Sequence, residues 1–345
     1  MLIEWALWVV QKTSEYSLSS FRSWDSVTAA IGKVAGTFTD LESGMAWPYL
    51  LASLLIGGMT FILARMKNIA PSQSFGGFLF PRHVYGHPSA VLDYKFYVVN
   101  VFLKYLLLIP VMGGVGMVGY KAMTAVMIGY FAWEPPRTLP PTALFAVAAG
   151  FFVVYDLVNY LTHVLFHKIP VLWAFHRVHH SAEVLTPITA YRAHPVELLL
   201  PAVLQAPFLG MASVFSQNLV PHDMELTMVF GISVITFALG FLGHHWHHSH
   251  LWVSFGPVVS RLFISPVMHQ IHHSVDPQHV NRNFGVKLAV WDVLFGTLYV
   301  PQVREPLRVG LQEPVAREFR KVSHLYFRPF VEAFGAVTMP LERKG

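Results

Sequence analysis

Residues 156–180 read DLVNYLTHVLFHKIPVLWAFHRVHH, and this stretch decides both the fold class and the place of the function. It starts at the end of an apolar run and delivers His163 and His167, four residues apart, then His176, His179 and His180 in the pattern H-x-x-H-H. A spacing of four puts two imidazoles on one helix face, one turn apart, where they can meet a common metal. Positions i, i+3 and i+4 again share a face, so the second group offers three ligands from a turn and a half. Downstream, GHHWHHSH at 243–250 repeats the spacing of four in His244 and His248. PVMHQIHHS at 266–274 is a second H-x-x-H-H, with His269, His272 and His273. Of the 19 histidines in the chain, 16 lie between His163 and His279, a concentration that packing or chance does not produce.

The remainder of the 345-residue chain explains the apolar run. It is 54% hydrophobic and 12% charged, with a mean hydropathy of +0.48. Soluble domains carry about 25% charged residues, so a soluble fold of this size would lack the charge to cover its surface. The composition implies an all-α, polytopic membrane bundle. The net charge of +5 comes with no Lys/Arg stripe of the kind that binds nucleic acid. The absence of cysteine excludes disulfides, thiolate metal sites, iron–sulfur clusters and a cysteine nucleophile.

A helix needs about 20 apolar residues to cross the hydrocarbon. Runs 47–64, 138–155, 198–220 and 226–243 are uncharged and come close to that length; 96–133, interrupted by Lys104 and Lys121, supplies one more span. The first ten residues are too short to span and lack a signal-peptide pattern, which predicts an interfacial helix. Arg65, Lys67, Arg82 and Lys95 against Asp93 alone place the loop after the first span in the cytoplasm. Counting on, 138–155 brings His163 and His167 to the cytoplasmic side. The pair 198–220 and 226–243, turning at Pro221-His222-Asp223, returns His244 and His248 to that same side. An even number of crossings between histidine groups is what one shared site requires. The expected organisation is an N-terminal interfacial segment at 1–44, first spans and a basic loop at 45–155, a histidine-box domain at 156–300 and a C-terminal cytosolic segment at 301–345. Within the last, 317–330 reads as an amphipathic helix for the membrane surface.

Imidazole suits iron, zinc, copper and nickel. Ten imidazoles (His163, His167, His176, His179, His180, His244, His248, His269, His272 and His273) exceed what one zinc ion takes, and two metals sharing them would have about five each. Glu-x-x-His pairs of carboxylate-bridged di-iron bundles are absent, as are H-E-x-x-H and G-x-S-x-G. What remains is a histidine-only binuclear centre at a membrane interface, where lipid chains are the nearest substrates.

At these residues the chain resembles the fatty acid hydroxylase/sterol desaturase superfamily of integral membrane di-iron oxygenases. The likeness runs from Asp156 to Thr297, more weakly back to Leu79, and is carried by the boxes above together with TAYRAHPVE at 189–197 and NFGVKLAVWDVLFGT at 283–297. It implies a cytosolic histidine-rich di-iron cap over the spans, with the ten histidines as ligands to two iron ions that zinc can replace. It further implies O2 as oxidant, and hydroxylation of a lipid of fatty acyl, sterol or ether-lipid type, or alternatively its desaturation. Within the superfamily, the tail after His269 looks most like the bacterial sterol-desaturase-like and alkylglycerol-monooxygenase-like branch. No His-Pro-Gly-Gly heme signature occurs, so electrons are expected from a separate donor of ferredoxin or cytochrome b5 type. A metal transporter or sensor would place its ligands at mid-depth in the spans, whereas every box here sits at a span end or beyond.

Around the ligands, Asp156 and Asn159 share the face of His163 and are expected to hold outer ring N–H groups. His194 and Arg192 in TAYRAHPVE, and His279, are expected one step out from the metals, Arg192 meeting a polar headgroup or an acidic neighbour. His83, His87, His222 and His324 read as ordinary surface residues. Gly114-Val-Gly116-Met-Val-Gly119 fits G-x-G-x-x-G, but inside an apolar span it reads as a small-residue packing face.

Overall fold

Apolar runs punctuated by proline set the helices. The computed structural model describes residues 19–39, 45–69, 73–129, 140–219 and 244–338. Helix α1, Trp24–Ala35, starts where the Ser23 hydroxyl accepts from the Ser26 N–H, and carries Asp25 in its first turn and Lys33 in its last, as the helix dipole favours. The long elements follow: α2, Trp47–Met66; α3, Pro88–Gly129, containing a π turn at Lys104–Leu108; and α4, Pro141–Lys168. Three helices, Trp47–Met66, Pro88–Gly129 and Phe145–Lys168, are long and apolar enough to cross a membrane. The site is carried by α5, Pro170–His180; α6, Pro195–Leu219; α7, His244–His247; α8, Pro266–His272; and α9, Val290–Leu294. Helix α10, Val322–Thr338, follows. Among the described residues the architecture is all-α, with isolated bridges in place of strands.

Several expectations shift. The span expected within 96–133 belongs to a 42-residue helix, about twice what one crossing needs. The run at 138–155 continues without a break through both histidines to Lys168, where Pro170 stops it: a proline has no N–H to continue the ladder, and Ile169 before it is extended. The amphipathic helix expected at 317–330 is two elements, a 3-10 turn at Val315–Phe319 and then α10. Phe319 and Leu325 are both buried in one core cluster. Six residues apart, they would sit about 120° apart on one straight helix, and the break lets both point inward. The expected N-terminal interfacial helix, the run 226–243 and the turn at Pro221-His222-Asp223 lie outside the described residues.

The chain divides into two compact units. Among the described residues, the first holds 19–36, 101–162 and 198–219. Here Gly119 of α3 meets α6 backbone to backbone: a Cβ on Gly119 would stand 2.5 Å from the Ala206 carbonyl oxygen, and one on Gly210 the same distance from the Gly119 oxygen. Part of the glycine motif is thus a helix-packing face. The second unit holds 37–100, 163–197 and 244–338, including every described histidine of the boxes. Its core packs Leu92 and Phe96 of α3 against Val178 of α5, Phe319 and Leu325. Ala333 of α10 packs on Ala174 and Phe175 of α5. The helix carrying His176, His179 and His180 is therefore held by apolar neighbours from two other helices.

Candidate metal centre

Nine imidazoles converge in the second unit as two neighbouring clusters. His163, His167, His176, His180 and His272 bring one ring nitrogen each to within 4.8 Å of one another, and His179, His248, His269 and His273 do the same. Helix geometry explains the division. Residues i and i+4 lie about 40° apart around the axis, whereas i+3 and i+4 lie about 100° apart. In each H-x-x-H-H box the i, i+4 pair therefore serves one cluster (His176 and His180; His269 and His273) and the i+3 ring turns to the other (His179; His272). Each box thus offers three ligands, as its spacing suggests, but divides them between the two clusters in a crossed arrangement. His180 and His273 stack at 4.5 Å between the two clusters.

Within the clusters the Nε2 atoms stand at coordination distance from one another. His176 Nε2 is 3.2 Å from those of His163 and His180; His248 Nε2 is 2.9–3.1 Å from those of His269, His179 and His273. A metal–nitrogen distance of about 2.1 Å sets ligand nitrogens about 3.0–3.4 Å apart around one ion, so these spacings fit a metal polyhedron. The outer nitrogens fix the tautomer. Nδ1–H donates from His163 to the Phe284 carbonyl, from His272 to the Arg282 carbonyl and from His176 to Glu197 Oε1, each at 2.8 Å. Those three rings keep their Nε2 lone pairs for the centre, and buried His272 Nε2 has no hydrogen-bond partner, nor has His167 Nε2. Burial pushes the pKa values of His176, His180, His269, His272 and His273 well below the ordinary histidine range, and that of His179 to about 3. The rings are neutral at ordinary pH, the form that binds metal. Phe166 stacks on His176 and Phe284 packs edge-on to His163, His167 and His272, walling the rings from water.

The third group, rich in histidine, uses its described rings differently. His248 joins a cluster, while His245 bonds Ser53 of α2, His247 donates to the Ile264 carbonyl and His250 to the Phe78 carbonyl. The side chain of His244 lies outside the described ones. Asn159 does not reach an imidazole: its amide donates to the Tyr155 carbonyl one turn back and its oxygen accepts from Gln205, while His163 finds the Phe284 carbonyl. Asp156 is buried on the same helix. Arg192 meets an acidic neighbour rather than a headgroup. Fully buried, it pairs with Asp93 at 2.6 Å and donates to the Val178 carbonyl and Ser181, closing the C-terminal end of α5. His194 caps α6 through the Val196 N–H and donates to the Tyr326 carbonyl. His279 links Ser274, next to His273, to Glu305. His83, His87 and His324 stand apart from both clusters.

The segment at 283–297 supplies two further residues with roles. Asp292 accepts from the N–H groups of Phe284 and Gly285 and from the Thr297 hydroxyl. Asn283, with a φ of 57°, bonds the carbonyls of Met268 and Tyr299 and the N–H of Tyr299. A Cβ at Gly285 would stand 2.7 Å from Asp292 Oδ2. This turn aims the Phe284 carbonyl at His163.

Residues 148–297 match the family model described as Fatty acid hydroxylase. This region is similar in sequence to that family's domain. The chain is 27% identical over 177 residues to an alkylglycerol monooxygenase of Danio rerio, covering 51% of this chain and 35% of that protein. It is 29% identical over 176 residues to the ornithine lipid hydroxylase OlsE of Rhizobium tropici, covering 51% and 48%. It is 30% identical over 166 residues to the very-long-chain aldehyde decarbonylase GL1-1 of Oryza sativa subsp. japonica, covering 48% and 25%. The chain thus spans a quarter to a half of the length of these relatives. No solved structure matches it.

Proposed function

We propose that this chain is a membrane-bound, O2-dependent lipid hydroxylase that holds two iron ions, one in each histidine cluster. The observation that carries the reading is the interlocked pair of all-imidazole clusters inside the region that matches the fatty acid hydroxylase family. The relatives' names, an alkylglycerol monooxygenase and an ornithine lipid hydroxylase, support a lipid of fatty acyl, sterol or ether-lipid type as substrate.

Bound at these rings, iron supplies the activation of O2 and the oxidation of an unactivated C–H bond. The chain's own contribution is positional. His163, His167, His176, His180 and His272 form one ligand set, and His179, His248, His269 and His273, joined in this reading by His244, form the other. Carbonyls of Phe284 and Arg282 keep two rings in the metal-binding tautomer. Aromatic walls keep water out, which strengthens every electrostatic interaction within and protects the oxidant from side reactions. Electrons come from a separate donor protein of ferredoxin or cytochrome b5 type. The spans are multi-pass and the boxes face the cytoplasm, as the basic loop at Arg65, Lys67, Arg82 and Lys95 supports. Lipid mass spectrometry of cells with and without the gene tests the activity. The reading expects lipids that gain one oxygen atom in the gene's presence; lipids changed only by loss of two hydrogens would overturn hydroxylation in favour of desaturation.

A further inference from the structure

Glu197 is a carboxylate among imidazoles, and sequence patterns of ligand spacing do not mark it. Its Oε1 accepts the Nδ1–H of His176 at 2.8 Å, and its Oε2 is buried without a hydrogen-bond partner. Its side chain is 12% exposed and that of His176 5%. A carboxylate so placed has lost its water and gained one neutral imidazole and a backbone interaction at His194, which leave much of its desolvation uncompensated. A cation on the far side of the same ring removes the imbalance. Polarised by the carboxylate, His176 becomes the more basic ligand, and the cation's charge reaches the carboxylate through the ring. A neutral Glu197 would instead donate to Nδ1. That would place a proton on His176 Nε2, which stands 3.2 Å from the Nε2 atoms of both His163 and His180.

We infer that Glu197 is a positioning residue that tightens metal binding at the cluster of His163, His167, His176, His180 and His272. The inference rests on the reading of the two clusters as metal sites. It makes the two metals unequal. The five-ring cluster has three outer N–H groups held by oxygen acceptors, one of them this carboxylate, whereas Glu197 touches no ring of the cluster of His179, His248, His269 and His273.

The test uses full-length protein purified in detergent and loaded with zinc, with the metal counted by elemental analysis and its release followed with a chromogenic chelator. Glu197→Gln retains an acceptor for Nδ1–H but removes the charge; Glu332→Gln disturbs the other carboxylate that contacts α5, through Arg177, without touching a ligand ring. Wild-type protein is expected to release two zinc ions. In Glu197→Gln one of them should leave about 10–100-fold faster, while Glu332→Gln keeps both wild-type rates. Release of both ions at wild-type rates from Glu197→Gln overturns the inference, as does an equal acceleration of both ions or the same acceleration in Glu332→Gln. Fewer than two ions in wild-type protein would instead overturn the two-metal reading on which it rests.

Discussion

His179 and His272 are each the second histidine of an H-x-x-H-H box, and each serves the cluster opposite to its own box's pair. Removing either ring breaks one cluster and unpins the helix that feeds the other. His179→Ala and His272→Ala are each expected to abolish lipid oxidation and to lower bound metal, while His83→Ala, remote from both clusters, leaves activity and metal content unchanged. Turnover assays with metal counts check this, and full activity in His272→Ala would contradict the ligand map. Asp292 provides a second case at this scale. Asp292→Ala strands two buried backbone N–H groups and a hydroxyl, each at a cost of about 1–3 kcal/mol. The variant should melt well below wild type in detergent and lose the support of His163; an unchanged melting temperature would show that the turn at 283–297 does not depend on this side chain. Most of the clustered histidines were legible in the sequence because their spacing is a helical period. Glu197 was not, because its partner His176 lies 21 residues away and only the turn at Pro187–Tyr191 and the start of α6 bring them together. Within GHHWHHSH, family likeness favours His248 and spacing then favours His244, without deciding among the four histidines; the structure gathers His248 with His179, His269 and His273. The tasks of His245, His247 and His250 were not legible, since each bonds a group distant in sequence.

Elements were legible where hydrophobicity alone decides them. The apolar run of α2 and the proline between α4 and α5 mark their helices directly. The length of α3 was obscured by Lys104 and Lys121, which a helix tolerates, and the break before α10 by a buried contact between Phe319 and Leu325 that local sequence does not encode. In α3 and α6, the glycines at 119 and 210 let the two backbones touch. Gly119→Leu should force them apart and destabilise the first unit, read as a lower melting temperature, whereas Gly113→Leu, with open space around its Cα, should be tolerated; equal effects of the two would contradict this packing. Helix α10 buries Leu325 and Ala333 while Phe327, Phe330, Val331, Phe334 and Val337 are each more than half exposed. On the reading that this face meets the membrane surface, a photoreactive phospholipid should label residues within 322–338; labelling confined to α2 and α3 would contradict it.

At the scale of the whole molecule, a shared metal site requires all the histidine boxes to lie on one side of the membrane. With no native cysteine, single cysteines at the exposed positions Lys168 and Gln278 give a clean topology readout. An impermeant maleimide should reach both only after the cytoplasmic side is opened; labelling of the two from opposite sides would break the shared site. The central claim is that one chain holds two metals in crossed imidazole clusters. Its most direct test is elemental analysis of the purified protein, prepared from iron-replete cells without chelators and normalised to chain concentration. The account predicts two metal ions per chain, iron in the active preparation or zinc in its place. A value of one or less would contradict it.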